Sequence, residues 1–463
     1  MPLTDVAIVG GGISGLAAAY ELARRGVPFE LFERAPRLGG VITTEAVDGY
    51  VIDAGPDALL TQKPAAISLC GELGLREELQ PQQARRTFVV RGGTLRELPE
   101  ASVLGFPTAW RPFVASRAFS WRGKLRMAAE LLVRSRSSAV DESIASFIGR
   151  RFGQEAVDYL AEPLLAGVHG GDPARLSMAA SFPRFLALEA SAGSVIAGLR
   201  RLPRPAGSGA PRTPFVAPAS GMGALTRALE AVLPSRSLHT GCGVETIESS
   251  HGDYVLHLSG GRTLKSHAVL FATPPAVTSR LAREIDGDLS ALCGRIHSTS
   301  AVTVALGYQR SAIRHPLDGT GFVAPRREGL DIRAASWVSS KWAGRAPAGH
   351  VLLRAYVGGA ADPSAIDRSD ADLFDIVERD LGRVLNIVGE PQLGRIYRWR
   401  NATPQLEVGH GELMNSIDAR LCEQPGLFVS AAGFRGTGIA DCVADARLQA
   451  AFAAEAVTPA LTA

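Results

Sequence analysis

Cysteine is scarce: five residues in 463, at Cys70, Cys242, Cys293, Cys422 and Cys442, with no C-x-x-C pair among them. Few, scattered and odd-numbered thiols argue for a reducing compartment, and against a zinc site or a disulfide redox centre. Charge of neither sign dominates, since 49 Lys and Arg face 46 Asp and Glu for a net +3, which excludes a generally basic nucleic-acid binder. No apolar run approaches the ~18 residues of a membrane span. No leader-like segment precedes the first strand, so the chain is expected to be cytoplasmic, soluble or peripheral on the cytoplasmic face of a membrane. G-x-S-x-G is missing, the nine histidines show no metal-ligand spacing, and no obvious carboxylate pair stands out. The sequence thus offers no metal site and no strong nucleophile. The hydrophobic share of 46% is ample for a large core, and length alone suggests about three domains.

The opening stretch carries the clearest signal. Val6 to Val9 is a short apolar run of the buried-strand kind, and Gly10, Gly12 and Gly15 follow it in the spacing G-x-G-x-x-G. Good helix formers continue from Ser14 to Arg25. Backbone N–H groups at such a helix start (Gly11, Gly12, Ile13, Ser14) favour a diphosphate. A second strand, Phe29 to Phe32, ends at Glu33, placed about 20 residues on, where a carboxylate accepts ribose hydroxyls. This is a dinucleotide-binding unit, and by itself it does not separate NAD from FAD.

Two further glycine segments follow, Arg37-Leu38-Gly39-Gly40-Val41 and Asp53-Ala54-Gly55-Pro56-Asp57. With the first unit they resemble the amine-oxidase branch of the glutathione-reductase-like FAD proteins. The resemblance implies noncovalent FAD held by Gly10, Gly11, Gly12, Ile13, Ser14, Gly15, Glu33, Arg34, Gly40, Val41, Gly55, Pro56, Asp57, Ala58, Val244, Trp399, Ala432, Thr437, Gly438 and Ile439. Near the end, Gly426 to Gly433 reads as an apolar strand running into glycine, and Gly436-Thr437-Gly438 opens a terminal helix whose N-terminus favours negative charge.

In between, Ser298 to Tyr308 alternates as a strand, and Gly321 to Pro325, Ala334 to Val338 and Val351 to Val357 are expected to join it in a sheet. Asp370 to Leu385 has helical spacing, Asp141 is the expected cap of a helix reaching Phe152, and 198–223 reads as a long loop. From 101 to 129 there is no acidic residue, while Arg111, Arg117, Arg122, Lys124 and Arg126 are interleaved with Trp110, Phe113, Phe119 and Trp121. That pattern fits a solvated helix face or a membrane-surface patch.

The expected fold is α/β: a Rossmann-type FAD domain discontinuous in sequence, with an inserted substrate-binding sheet domain and a helical, membrane-apposed domain. The segments are 1–85, 216–297 and 406–463 for the FAD domain, 86–215 for the helical region and 298–405 for the sheet. Gly167-Val168-His169-Gly170-Gly171-Asp172-Pro173, Pro404-Gln405 with Gly409-His410, and Gly436 to Cys442 are similar to the protoporphyrinogen oxidase family over essentially the whole chain. The similarity implies a reduced tetrapyrrole losing six hydrogens to FAD over three cycles, with O2 as the final oxidant. It also implies a homodimer, peripheral membrane association and hand-off to ferrochelatase. By position, Gly167, Leu164 and Ala166 line the cleft, Val323 and Tyr356 match apolar wall positions, and Thr87 stands where many relatives place a propionate-binding arginine, with Arg85, Arg86 and Arg96 nearby. Coproporphyrinogen III, an amine or a polyene remain alternative substrates. A Rab-GDP-dissociation-inhibitor-like binding role is the non-enzymatic alternative.

Overall fold

The computed structural model describes residues 2–99, 102–103, 106–107, 110–136, 140–202 and 214–458. Two seven-stranded sheets organise them. In the first, Leu3–Val9 lies between Phe29–Phe32 and Thr263–Phe271, parallel to both, and Leu427–Val429 extends the parallel set on Thr263–Phe271. Val6, Ala7 and Ile8 are fully buried because helices cover the sheet, which is why this strand reads as an unbroken apolar run. The helices Ile13–Arg24 and Ile439–Val457 meet through Ala17, Ala18, Ala446, Ala450 and Ala453, small side chains that let the two axes approach closely.

The second sheet runs in the order Leu393–Pro404, Ser298–Gln309, His350–Gly358, Ile332–Trp337, Gly321–Val323, Thr87–Arg91, Thr94–Glu97. Alternation divides its faces. Val302, Val304, Phe322 and Ala355 pack with Leu373, Val377 and Leu381 of the helix Asp370–Leu385. On the other face the pairing register sets Thr303, Tyr356, Ala334, Val323 and Val89 in one row across five strands. Helices between Trp110 and Arg201 cover part of this row, with Phe113, Phe147, Phe152, Leu160 and Leu165 in a shared core. Arg151 is buried there against Glu130 and Glu189, and Arg150 binds Glu142 and Glu189.

The sheet and the helix Asp370–Leu385 match the expectations from alternation and spacing. Three local readings differ. The helix Ile144–Phe152 is capped by Ser143, which accepts from the Ser146 amide, while Asp141 instead accepts from the Gly409 amide at 3.0 Å. The stretch read as a loop, 198–223, contains the end of the helix Val195–Arg201 and the strand Phe215–Pro218; its residues 203–213 lie outside the described residues. The long strand Leu393–Pro404 was not anticipated.

Candidate active site

The first strand ends at Gly10, whose φ of +109° suits glycine and whose added Cβ would lie 2.5 Å from the Ala272 carbonyl oxygen. Gly12 caps the helix Ile13–Arg24 with no side-chain cap, and a Cβ placed there meets nothing within 4 Å. The helix N-terminus therefore opens onto free space, as an anion site requires. Beside it, the Gly11 amide donates to Glu33 Oε2 at 2.7 Å and the Ala35 amide donates to Glu33 Oε1 at 2.8 Å. The Gly39 amide donates to the Gly11 carbonyl at 2.8 Å, which folds Gly40 over the loop until its Cβ direction stands 3.2 Å from Gly12 Cα.

Gly55 comes next in this chain of contacts: a Cβ on it would lie 2.1 Å from the Val41 carbonyl oxygen, so only glycine fits. Asp57 is held by Lys341 at 2.9 Å and Arg354 at 3.3 Å. Burial alone would raise its carboxyl, but these two cations hold it well below the usual carboxylate range. Pro56 and Ala58 are half-buried alongside. The indole N–H of Trp399 donates to the Ala54 carbonyl at 3.1 Å. On the other flank, the Cys242 amide donates to the Glu33 carbonyl and the Gly241 amide to the Ala35 carbonyl, and the Cβ direction of Gly243 reaches the Arg34 side chain at 3.4 Å, so buried Val244 follows directly.

The C-terminal unit closes the site. The Ser430 amide donates to the Phe271 carbonyl at 2.8 Å, and the chain passes Ala432 and Thr437 to Gly438, the cap of Ile439–Val457. Ser14 is hydrogen-bonded to Cys442, which joins the first turns of the two glycine-started helices. Burial pushes the Cys442 thiol up to about 12, and Ser14 opposes this only in part. Lys63 binds Asp441 at 2.7 Å, and buried His410 donates from Nε2 to the Phe434 carbonyl at 2.7 Å. Lys63, Lys341 and Arg354 were not singled out from sequence, and His410 only as part of the Gly409-His410 motif. Two free helix starts, an acid at the second strand's end and a glycine cradle are the donor set and the space that FAD needs, so the residues fit the cofactor.

Of the residues expected to line the substrate cleft, Leu164, Val323 and Tyr356 belong to one apolar cluster. Ala166 and Gly167 lie in the helix Glu162–His169, which stops at Gly170 (φ +53°). The Gly170 carbonyl accepts from the Ala360 amide at 2.7 Å and Thr299 Oγ1 at 3.2 Å, which ties this helix end to the second sheet. Tyr356 is more than apolar wall, since Arg354 Nη2 donates to its hydroxyl. Thr87 Oγ1 lies 2.9 Å from Thr320 Oγ1, two residues before Val89 and on its face. Arg86 is engaged by Asp318 and Glu97, and Arg96 is half-buried opposite Val89.

The basic stretch is divided. Lys124 is buried and donates to the Val114 carbonyl, and Arg126 donates to the carbonyls of Arg150 and Arg151. Trp121, Leu125 and Leu132 are instead 65%, 70% and 89% exposed. Among the described residues no helix is long and apolar enough to cross a membrane.

Residues 13–454 match the family described as flavin containing amine oxidoreductase. The chain is 37% identical over 450 residues to the coproporphyrinogen III oxidase of Bacillus subtilis (strain 168), covering 95% of each protein. It is 31% identical to the chloroplastic protoporphyrinogen oxidase 1 of Spinacia oleracea, covering 96% of this chain and 83% of that one. A solved structure from Exiguobacterium sp. 255-15, named as a protoporphyrinogen oxidase, superposes with a TM-score of 0.87 at 30% identity, over 98% of this chain and 99% of that one. The chain belongs to the flavin containing amine oxidoreductase family and is an FAD-dependent oxidase.

Proposed function

We propose that this oxidase removes six hydrogens from protoporphyrinogen IX to give protoporphyrin IX, with noncovalent FAD and O2. The observation that carries the reading is the row Thr303, Tyr356, Ala334, Val323 and Val89, a mostly apolar strip flanked by Leu164. It suits a large tetrapyrrole lying beside the Gly55 loop. Thr87, bonded to Thr320, carries no charge itself, and half-buried Arg96 opposite Val89 is the cation that extends this row and could face a propionate.

Bound FAD supplies a two-electron acceptor that O2 restores with release of hydrogen peroxide. The residues of this chain bind and orient. Gly10 to Ser14, Gly15, Glu33, Arg34, Gly40, Val41 and Val244 would hold the nucleotide part of FAD, and Gly55 to Ala58, Trp399, Ala432 and Thr437 to Ile439 would hold its flavin part. Leu164, Val323, Tyr356 and Thr87 would form the substrate wall and exclude water from it, next to the helix Glu162–His169. The exposed Trp121, Leu125 and Leu132 support peripheral binding to a membrane, which suits delivery of a poorly soluble product.

A second reading, coproporphyrinogen III oxidation, is favoured by the names of bacterial relatives at 37% and 31% identity. Anaerobic mixing of the holoenzyme with each porphyrinogen decides between the two. Faster bleaching of the flavin by protoporphyrinogen IX, followed by porphyrin fluorescence on adding air, is the expected result. Faster bleaching by coproporphyrinogen III selects the second reading, and bleaching by neither removes both.

A further inference from the structure

Three consecutive carbonyls of the 53–55 turn are held by side chains of the second sheet. Arg354 Nη1 donates to the carbonyls of Asp53 and Gly55, the latter at 2.9 Å, and Trp399 Nε1 donates to the Ala54 carbonyl between them at 3.1 Å. Arg354 and Trp399 come from strands His350–Gly358 and Leu393–Pro404, both paired with Ser298–Gln309 and both facing the first sheet's domain. Arg354 is 3% exposed, and its other terminal nitrogen binds Asp57 at 3.3 Å and the Tyr356 hydroxyl.

This grip fixes which way the turn's amides face. The Ala54 carbonyl and the Gly55 N–H belong to one trans peptide and point in opposite directions. With the carbonyl turned to Trp399, the Gly55 N–H of the same peptide is turned away from it, and no acceptor for it is seen among the described residues. An unpartnered amide at a half-buried turn is costly unless a ligand accepts from it.

We infer that Arg354, with Trp399, is a positioning residue that sets the 53–55 turn so that the Gly55 N–H donates to the flavin. This rests on the FAD site proposed above. The same guanidinium binds Tyr356, so the flavin turn and the substrate wall share one rigid support. A fork is required for this: lysine carries the charge but cannot span two carbonyls, a carboxylate and a hydroxyl in one plane.

The test is FAD titration of apoprotein prepared from wild type, Arg354→Lys and Trp399→Phe, with the visible flavin spectrum recorded at saturation and far-UV circular dichroism as the check on folding. Arg354→Lys is expected to weaken FAD binding about tenfold or more and to shift the flavin band, since a hydrogen bond to the ring is lost. Trp399→Phe keeps the aromatic bulk and removes only the N–H, and it is expected to shift the band in the same direction with a smaller loss of affinity. A folded Arg354→Lys protein with wild-type affinity and an unmoved band overturns the inference. Should that variant not fold, an unmoved band in Trp399→Phe overturns it alone. Wild-type protein that takes up no FAD would defeat the cofactor site itself, a separate result.

Discussion

Glu33 Oε2 accepts the Gly11 amide at 2.7 Å, so the acid at the end of the second strand is bonded to the loop that ends the first. Its other oxygen holds the Ala35 amide. One carboxylate thus shapes the loop, beside the space proposed for the ribose hydroxyls. Glu33→Gln sets an amide NH2 against one of these two backbone donors and loses the charge-assisted bonds, which are worth about 1.5–3 kcal/mol. FAD affinity is expected to fall roughly tenfold to a hundredfold, together with a lower apoprotein melting temperature. Titration of apoprotein followed by flavin fluorescence checks this; unchanged affinity would remove Glu33 from the site.

Gly12 and Gly15 separate binding from folding. A Cβ on Gly15 would stand 1.9 Å from the Gly10 carbonyl oxygen, inside the strand–helix contact, whereas one on Gly12 meets nothing and its φ of −73° suits alanine. Gly15→Ala is expected to destabilise the fold by about 3 kcal/mol or more, in the range of overpacked cores. Gly12→Ala is expected to leave apoprotein stability within about 0.5 kcal/mol and to prevent FAD uptake, because the methyl occupies the diphosphate space. Thermal melts of both apoproteins, with flavin content after reconstitution, check the pair. Gly12→Ala protein that fills with FAD normally would contradict the assignment of that space.

The His410–Phe434 bond predicts a pH dependence. Burial lowers the His410 pKa from its ordinary 6.5, and the bonds to the Phe434 carbonyl and the charge of Asp141 oppose this only in part. The folded state therefore keeps His410 neutral while the unfolded chain takes up a proton below pH 6.5. Stability from this group is complete above that pH and declines as the pH falls toward the lowered folded value. Phe434 lies in the 430–438 segment beside the proposed flavin site, so FAD retention is expected to fall together with melting temperature on going from pH 7.5 to about 5.5. His410→Gln should flatten that dependence. A wild-type slope retained in the variant would assign the acid sensitivity elsewhere.

Elements whose chemistry is local were legible from the sequence. Strand, glycine loop, helix and Glu33 all fall within one short stretch, where spacing fixes geometry. The helix Asp370–Leu385 was legible from its periodic apolar face. What escaped was determined by distant partners. Leu393–Pro404 shows little apolar alternation because Arg395 and Tyr397 face Glu45, 350 and 352 residues earlier in sequence. Arg354 sits in an otherwise apolar strand and looks out of place until Asp53, Gly55 and Asp57 are brought to it. Lys124 read as surface charge, yet its ammonium is buried on the Val114 carbonyl.

That last difference changes the membrane prediction. Of the basic residues in 101–129, Lys124 and Arg126 serve the fold, so reversing their charge would damage the protein rather than test lipid contact. Trp121 and Leu125 stand one turn apart on the helix Trp121–Ala128, both mostly exposed, with Arg122 beside them and Leu132 at the end of the following turn. An apolar ridge flanked by positive charge inserts at the boundary of headgroups and acyl chains, each basic residue adding about 1 kcal/mol near anionic lipid. The double variant Trp121→Ser, Leu125→Ser removes the ridge and breaks no hydrogen bond of Lys124, though it gives up the contact of the Trp121 ring with the Lys124 ammonium, 4.5 Å from the ring centroid. It is expected to float with anionic vesicles much less than wild type, by roughly tenfold or more from the area withdrawn, while keeping its flavin content and losing about 1 kcal/mol of stability at most. Raising salt should weaken the wild type only in part, because the apolar share of the binding is not screened. Equal flotation of wild type and variant would show that this face does not meet the membrane.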